Sequence, residues 1–141
     1  MGKIVYSSPF LYGVLDRKSS PLNPILRSLV TVRVSQINCC DFCVDINSSI
    51  LAKRIGSMLK IKNLSNWKES DVFDEKERVV LEYTEAITYT HLRVEDELIS
   101  RVKNFFDDNT LIELTGLIAF QNLSSKFNSA LDVQAQGFCN V

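Results

Sequence analysis

An all-α fold is expected, on three observations. Apolar residues recur at three- and four-residue intervals through most of the chain. Helix-start signals precede these stretches: Asn23-Pro24, Asp74 with Glu77, and Asp107 or Asp108. No stretch outside residues 29–34 reads as a strand.

Residues 1–22 carry Gly2, Pro9, Gly13, Pro21 and several serines, and read as an irregular N-terminal arm. Residues 23–141 read as a single domain, within the ~100–150-residue range typical of one domain. Asn23-Pro24 pairs an N-cap residue with proline at the first helical position. The next stretch is ambiguous. Leu29-Val30-Thr31-Val32-Arg33-Val34 alternates like a strand, whereas Leu26, Leu29, Val30, Arg33, Val34 and Ile37 fit a helical stripe. From Asp41 to Gly56 a helix is the better reading, with Gly56 as its C-terminal cap. Phe42, Ile46 and Ile50 cover one side of it and Val44, Leu51 and Ile55 another, as in a helix sandwiched in a core or between subunits.

Asp74 and Glu77 have capping-box spacing ahead of the stripe Val79, Val80, Tyr83, Ala86 and Ile87. Glu95 to Phe106 turns Leu98, Val102 and Phe105 inward. The last helix carries Leu111, Leu114, Leu117, Ile118, Leu123, Phe127 and Leu131.

Sixteen Lys and Arg against seventeen Asp and Glu leave a net charge of −1. That is no electrostatic footprint for nucleic acid. No apolar run reaches the ~18 residues of a membrane span. The start lacks the apolar core of a secretory signal. A cytoplasmic protein with no membrane partner is the expectation.

Cys39, Cys40 and Cys43 cluster, and Cys139 stands apart. Cys40-Asp41-Phe42-Cys43 is a C-x-x-C pair. A structural zinc site wants four Cys/His ligands. With one histidine, His91, far downstream, no metal is expected. Positions 40 and 43 lie one turn apart on one helical face. The free N–H groups and partial positive charge of a helix start favour thiolate over thiol. A dithiol/disulfide pair fits this arrangement; two small buried apolar residues are the alternative.

Arg33-Val34-Ser35-Gln36-Ile37-Asn38-Cys39-Cys40-Asp41-Phe42-Cys43-Val44-Asp45 resembles the core of the carboxymuconolactone decarboxylase family, in its AhpD-like alkylhydroperoxidase branch. Ala52 and Gly56 fit that pattern, Glu77 to Ala86 resembles the family's next helix, and Leu114 to Leu131, with Lys126-Phe127-Asn128, resembles its closing segment. The likeness covers residues 22–131. It implies an all-helical AhpD-like domain, which makes 24–37 a helix, and a homo-oligomer, commonly a trimer or hexamer. It implies a thiol enzyme without metal or other cofactor. Cys43 attacks a hydroperoxide or disulfide substrate, Cys40 resolves it, and a dithiol electron donor reduces the product.

The family relay uses a glutamate twelve residues before the first cysteine and a histidine four after the second. Those positions hold Ser28 and Asn47 here. Neither can move a proton near neutral pH, although Asn47 can donate to a thiolate. Losing general acid–base help costs ~10²–10⁴-fold. Weakened thiol–disulfide or hydroperoxidase activity is therefore the leading expectation. A non-catalytic interaction or structural protein of the same fold comes second, and a carboxymuconolactone decarboxylase last. Cys39 replaces the family's usual glycine. A bond between neighbours Cys39 and Cys40 would be strained, which leaves Cys39 expected as a packed residue. Asp41 and Asp45 are expected on a solvated face, Cys139 as an unpaired surface or packed thiol, and His91 at a polar helix end.

Overall fold

The computed structural model describes residues 13–139, so residues 1–12 of the expected N-terminal arm lie outside the described part. Among the described residues every regular element is a helix, and there is no strand. The order is α1 (Pro24–Ile37), α2 (Asp41–Ile55), α3 (Leu59–Asn63), a 3₁₀ helix (Leu64–Glu69), α4 (Glu75–Thr88), α5 (Asp96–Lys103) and α6 (Asp108–Ala130).

The ambiguous stretch is helix α1, and its surroundings explain the mixed pattern. The Asn23 side chain accepts from the Ile25 N–H at 2.8 Å, with Pro24 in the first turn. Every residue from Leu26 to Ser35 is buried. Leu26, Val30 and Val34 enter one apolar cluster, with α4, α5 and α6. Leu29 and Val32 enter another, with Leu51, Leu64, Trp67 and Leu81. A helix walled in on all sides loses the one-sided stripe by which helices are recognised. The modest helix penalty of Val and Thr is overridden by tertiary burial.

Buried polar groups on α1 are paired, as burial requires. Arg27 donates to Asp16 and to the Leu22 carbonyl, and Arg33 donates to Glu85. The described part of the arm is therefore tied down: Asp16 bridges Arg27 on α1 and Arg54 on α2. Arg17 and Ser20 both donate to Glu113 on α6.

α2 starts at Cys40 and ends at Gly56, whose left-handed φ of 69° and N–H to Ala52 form the expected cap. α4 opens with the capping box of Asp74 and Glu77. The Asp107 side chain accepts from the Thr110 N–H and starts α6. The connector around Trp67 folds into the two short helices α3 and the 3₁₀ turn. Trp67 is buried there, its Nε1 donating to Glu85 at 2.8 Å, and Arg78 donates to the carbonyls of Trp67, Lys68 and Ser70.

No helix is long and apolar enough among the described residues to cross a membrane. Exposed large apolar side chains gather on α6 and its end: Ile112, Leu123, Phe127 and Leu131. On α2, Phe42, Ile46 and Ile50 are half-buried.

Candidate functional site at the cysteine pair

The turn into α2 aims both sulfurs inward. Cys39 adopts φ 52°, the left-handed region that glycine enters without a Cβ clash. This accounts for glycine as the usual residue at that position. Cys39 is exposed and outside any disulfide, rather than packed.

Cys40 is the N-cap of α2, and its Sγ accepts from the Cys43 N–H at 3.2 Å. Cys40 and Cys43 are paired as a disulfide, with Cα atoms 5.2 Å apart. Both are almost fully buried, 1% and 2% exposed. Cys43 Sγ also accepts from Asn128 Nδ2 on α6 at 3.4 Å. Eighty-five positions separate these two residues. No local pattern announces the contact; its only sequence signal is the closing segment around Asn128.

The other two candidate positions face elsewhere. Ser28 Oγ accepts from Arg54 Nη1 at 2.8 Å, and Arg54 also holds Asp16. Asn47 Nδ2 donates to Ser35 Oγ at 3.2 Å rather than to sulfur. Ser35 is held in turn: its hydroxyl donates to the Thr31 carbonyl at 2.6 Å and accepts from Gln121 Nε2 at 3.2 Å. Gln121 also donates to Ser125 at 3.0 Å. Ser35, Asn47, Gln121, Ser125 and Asn128 thus make a buried, neutral polar lining beside the thiols.

Asp45 is buried, not solvated. Its carboxylate accepts the backbone N–H groups of Gln136, Phe138 and Cys139 at 2.7–3.1 Å, which fastens the C-terminal tail to α2. The Cys139 N–H, with those of Phe138 and Gln136, holds the Asp45 carboxyl below its ordinary range despite some loss of solvent. Burial and the Asp45 charge push the Cys139 thiol up. Phe138 meets Phe42 edge-on, centroids 6.3 Å apart. Between tail and α2 runs a groove of about 460 Å³. It is walled by the adjoining α2 face of Asp41, Val44, Asp45 and Ser48 and by Cys139 of the tail, and neither Cys40 nor Cys43 lines it. Asp41 and His91 are exposed, His91 just beyond the end of α4.

Among the described residues, no group of three or more His, Cys, Asp or Glu is arranged to hold a metal ion. The cysteine pair can break and re-form its S–S bond, and the neutral lining can stabilise a thiolate without exchanging protons.

Known proteins share this arrangement of chain. The carboxymuconolactone decarboxylase family model matches residues 9–86. The uncharacterized protein YnjA of Escherichia coli is 46% identical over 138 residues, covering 98% of this chain and 76% of its own. The uncharacterized protein YdfG of Bacillus subtilis is 34% identical over 119 residues, 84% of this chain and 81% of its own. Among solved structures, Agrobacterium tumefaciens ATU0492, of unknown function and a candidate antioxidant defence protein AhpD, superposes with a TM-score of 0.85 at 26% identity. That match covers 96% of this chain and 92% of the other.

Proposed function

The chain belongs to the carboxymuconolactone decarboxylase family and is AhpD-like, and from that premise we propose that it is a thiol–disulfide oxidoreductase with weak hydroperoxidase activity. Cys43 is the attacking thiolate and Cys40 the resolving thiol. One observation carries this reading: two sulfurs within bonding reach at a helix start, each with an N–H donor.

With a hydroperoxide, the Cys43 thiolate takes the outer oxygen and the O–O bond breaks. The departing alkoxide needs a proton. The resulting sulfenic acid then loses water as Cys40 closes the disulfide, and an external dithiol returns both thiols. The alkoxide step is where the site is poor. Ser28 is committed to Arg54 and Asn47 to Ser35, and neither titrates near neutrality. Exchange with a disulfide substrate suffers less, because its leaving group is a thiolate that departs without a proton.

Burial of both sulfurs favours the second reading, a non-catalytic protein of the same fold. The decarboxylase reading is weaker: buried Arg27 and half-buried Arg54 both turn onto Asp16 rather than side by side into an open pocket for a dicarboxylate. The proposal extends to a cytoplasmic homo-oligomer, trimer or hexamer, that buries the α6 stripe of Ile112, Leu123, Phe127 and Leu131.

The test is mass spectrometry of the Cys40–Cys43 peptide after reduction by a dithiol and after exposure of the reduced protein to a small disulfide. A reversible two-hydrogen mass change confined to this pair supports the reading. Thiols that resist both reagents until the protein unfolds support the non-catalytic reading.

A further inference from the structure

Resting on the redox reading above, we propose that Asn128 is the catalytic residue that holds the Cys43 thiolate, supplying a fixed hydrogen bond where a titrating relay is absent. Its Nδ2 lies 3.4 Å from Cys43 Sγ, within reach of a sulfur acceptor. Asn128 itself is 7% exposed, so water does not compete freely for that bond. The residue is anchored from the backbone side: its carbonyl accepts the Val133 N–H at 3.0 Å as the chain leaves α6.

The surroundings leave this contact without an ionic rival. From α1 the polar residue beside the pair is Ser35, whose carbonyl accepts the Cys40 N–H at 3.1 Å, and from α6 they are Gln121, Ser125 and Asn128, all neutral. On α2, Asn47 is turned to Ser35, Asp45 is turned to the tail, and Asp41 is exposed. Arg33, the nearest buried cation on α1, spends its charge on Glu85. Lys126 on α6 is exposed. A hydrogen bond to an ionised sulfur is stronger than one to a thiol, so a fixed amide donor lowers the thiol pKa.

The electron balance places the thiolate on the same atom in both directions. In reduction, one thiolate of an external dithiol attacks Cys40 Sγ. The S–S bond breaks, and its electron pair stays on Cys43 Sγ, facing Asn128. The donor's second thiol then attacks the mixed disulfide; the donor leaves as a disulfide and Cys40 leaves as a thiolate that takes up the proton. In oxidation, the Cys43 thiolate is the nucleophile that Asn128 has kept ionised.

The test is the ultraviolet thiolate titration of Cys43 in a chain whose other cysteines are removed by Cys39→Gly, Cys40→Ser and Cys139→Ser. Asn128→Ala is expected to raise the Cys43 pKa by about one unit, a tenfold loss of thiolate below it. Asn128→Asp is expected to raise it further, since a carboxylate repels the thiolate, an ordering that a packing role does not produce. In the same background with Asn128 intact, the side-chain amide resonances of Asn128 are expected to shift with the Cys43 titration. A Cys43 pKa unchanged by both variants, or amide resonances blind to the titration, overturns the proposal. Its failure is separable from failure of the redox reading: a parent disulfide that no dithiol reduces refutes the redox reading, whereas a reducible one with Asn128 silent refutes this inference alone.

Discussion

Two buried polar regions leave α1 in different directions, and they are built on opposite chemical plans. One is ionic. Glu85 accepts from Arg33 Nε at 3.0 Å, from Arg33 Nη2 at 2.6 Å and from Trp67 Nε1 at 2.8 Å, with Lys68 at 3.1 Å. The other, beside the cysteines, is neutral: Ser35, Asn47, Gln121, Ser125 and Asn128. Charge is concentrated where it ties elements together and absent among the hydrogen-bonded side chains where electrons are proposed to move. In the proposed mechanism the nucleophile is kept and the proton relay is not, and the two regions should answer differently to substitution.

The largest expected effect is at the sulfurs. Cys43→Ser is expected to abolish dithiol-dependent turnover while leaving the melting behaviour of the reduced protein nearly unchanged. Steady-state turnover and calorimetry check both halves. Next comes restoration of the relay. Asn47→His combined with Ser28→Glu is expected to raise hydroperoxide turnover by about 10²-fold, the lower end of general acid–base help. Asn47→His should carry the larger share, since a carboxylate at position 28 meets Arg54.

The ionic region should respond in stability alone. Glu85→Ala strands Arg33 and Trp67, and is expected to cost about 3 kcal/mol, lowering the melting temperature by about 10 °C. Burial pushes the Glu85 carboxyl up, but the hydrogen bonds of Trp67 and Arg33 outweigh it and leave it below its ordinary value of 4.5. Asp16 is likewise held below 3.8: burial opposes, and the hydrogen bonds and charges of Arg54 and Arg27 prevail. The unfolded chain therefore takes up protons first. The stability from these groups is fully present above the ordinary carboxylate values and is lost as pH falls through the depressed ones. Thermal scans should hold level down to about pH 4.5 and fall below it. Glu85→Ala should flatten part of that fall.

The smallest effect is at the turn before the disulfide. Cys39→Gly relieves a left-handed backbone at φ 52° and is expected to stabilise the chain by about 0.5–1 kcal/mol, read from denaturant midpoints.

The contrast also explains what could be read in advance. Caps and stripes at Asp74, Asp107 and Gly56 are local, and they mark α2, α4 and α6 directly. The start of helix α1 is legible at Asn23-Pro24, but its body was settled only through resemblance, because Val30 and Val34 face one cluster while Leu29 and Val32 face another. The C-x-x-C pair is legible because three positions on a helix start suffice for it. Asn128 against Cys43, and the tail N–H groups on Asp45, join residues more than 80 positions apart. Only the packing of α6 and the tail against α2 creates them, and no local spacing encodes that packing. Asn47 was legible as a donor but not as a donor to Ser35, since its partner lies on another helix.

The site is proposed to move electrons between sulfurs well and to oxygen poorly. Its most direct test is the rate of Cys40–Cys43 disulfide formation when reduced protein is mixed with a small disulfide or with a hydroperoxide at equal concentration. Intrinsic Trp67 fluorescence, or quenched-flow mass analysis where that signal is silent, tracks the reaction. The small disulfide is expected to oxidise the pair readily, the hydroperoxide at least ~10²-fold more slowly, and Asn47→His is expected to narrow the gap. Equal rates with both oxidants, or no reaction with either in the folded protein, would contradict the proposal.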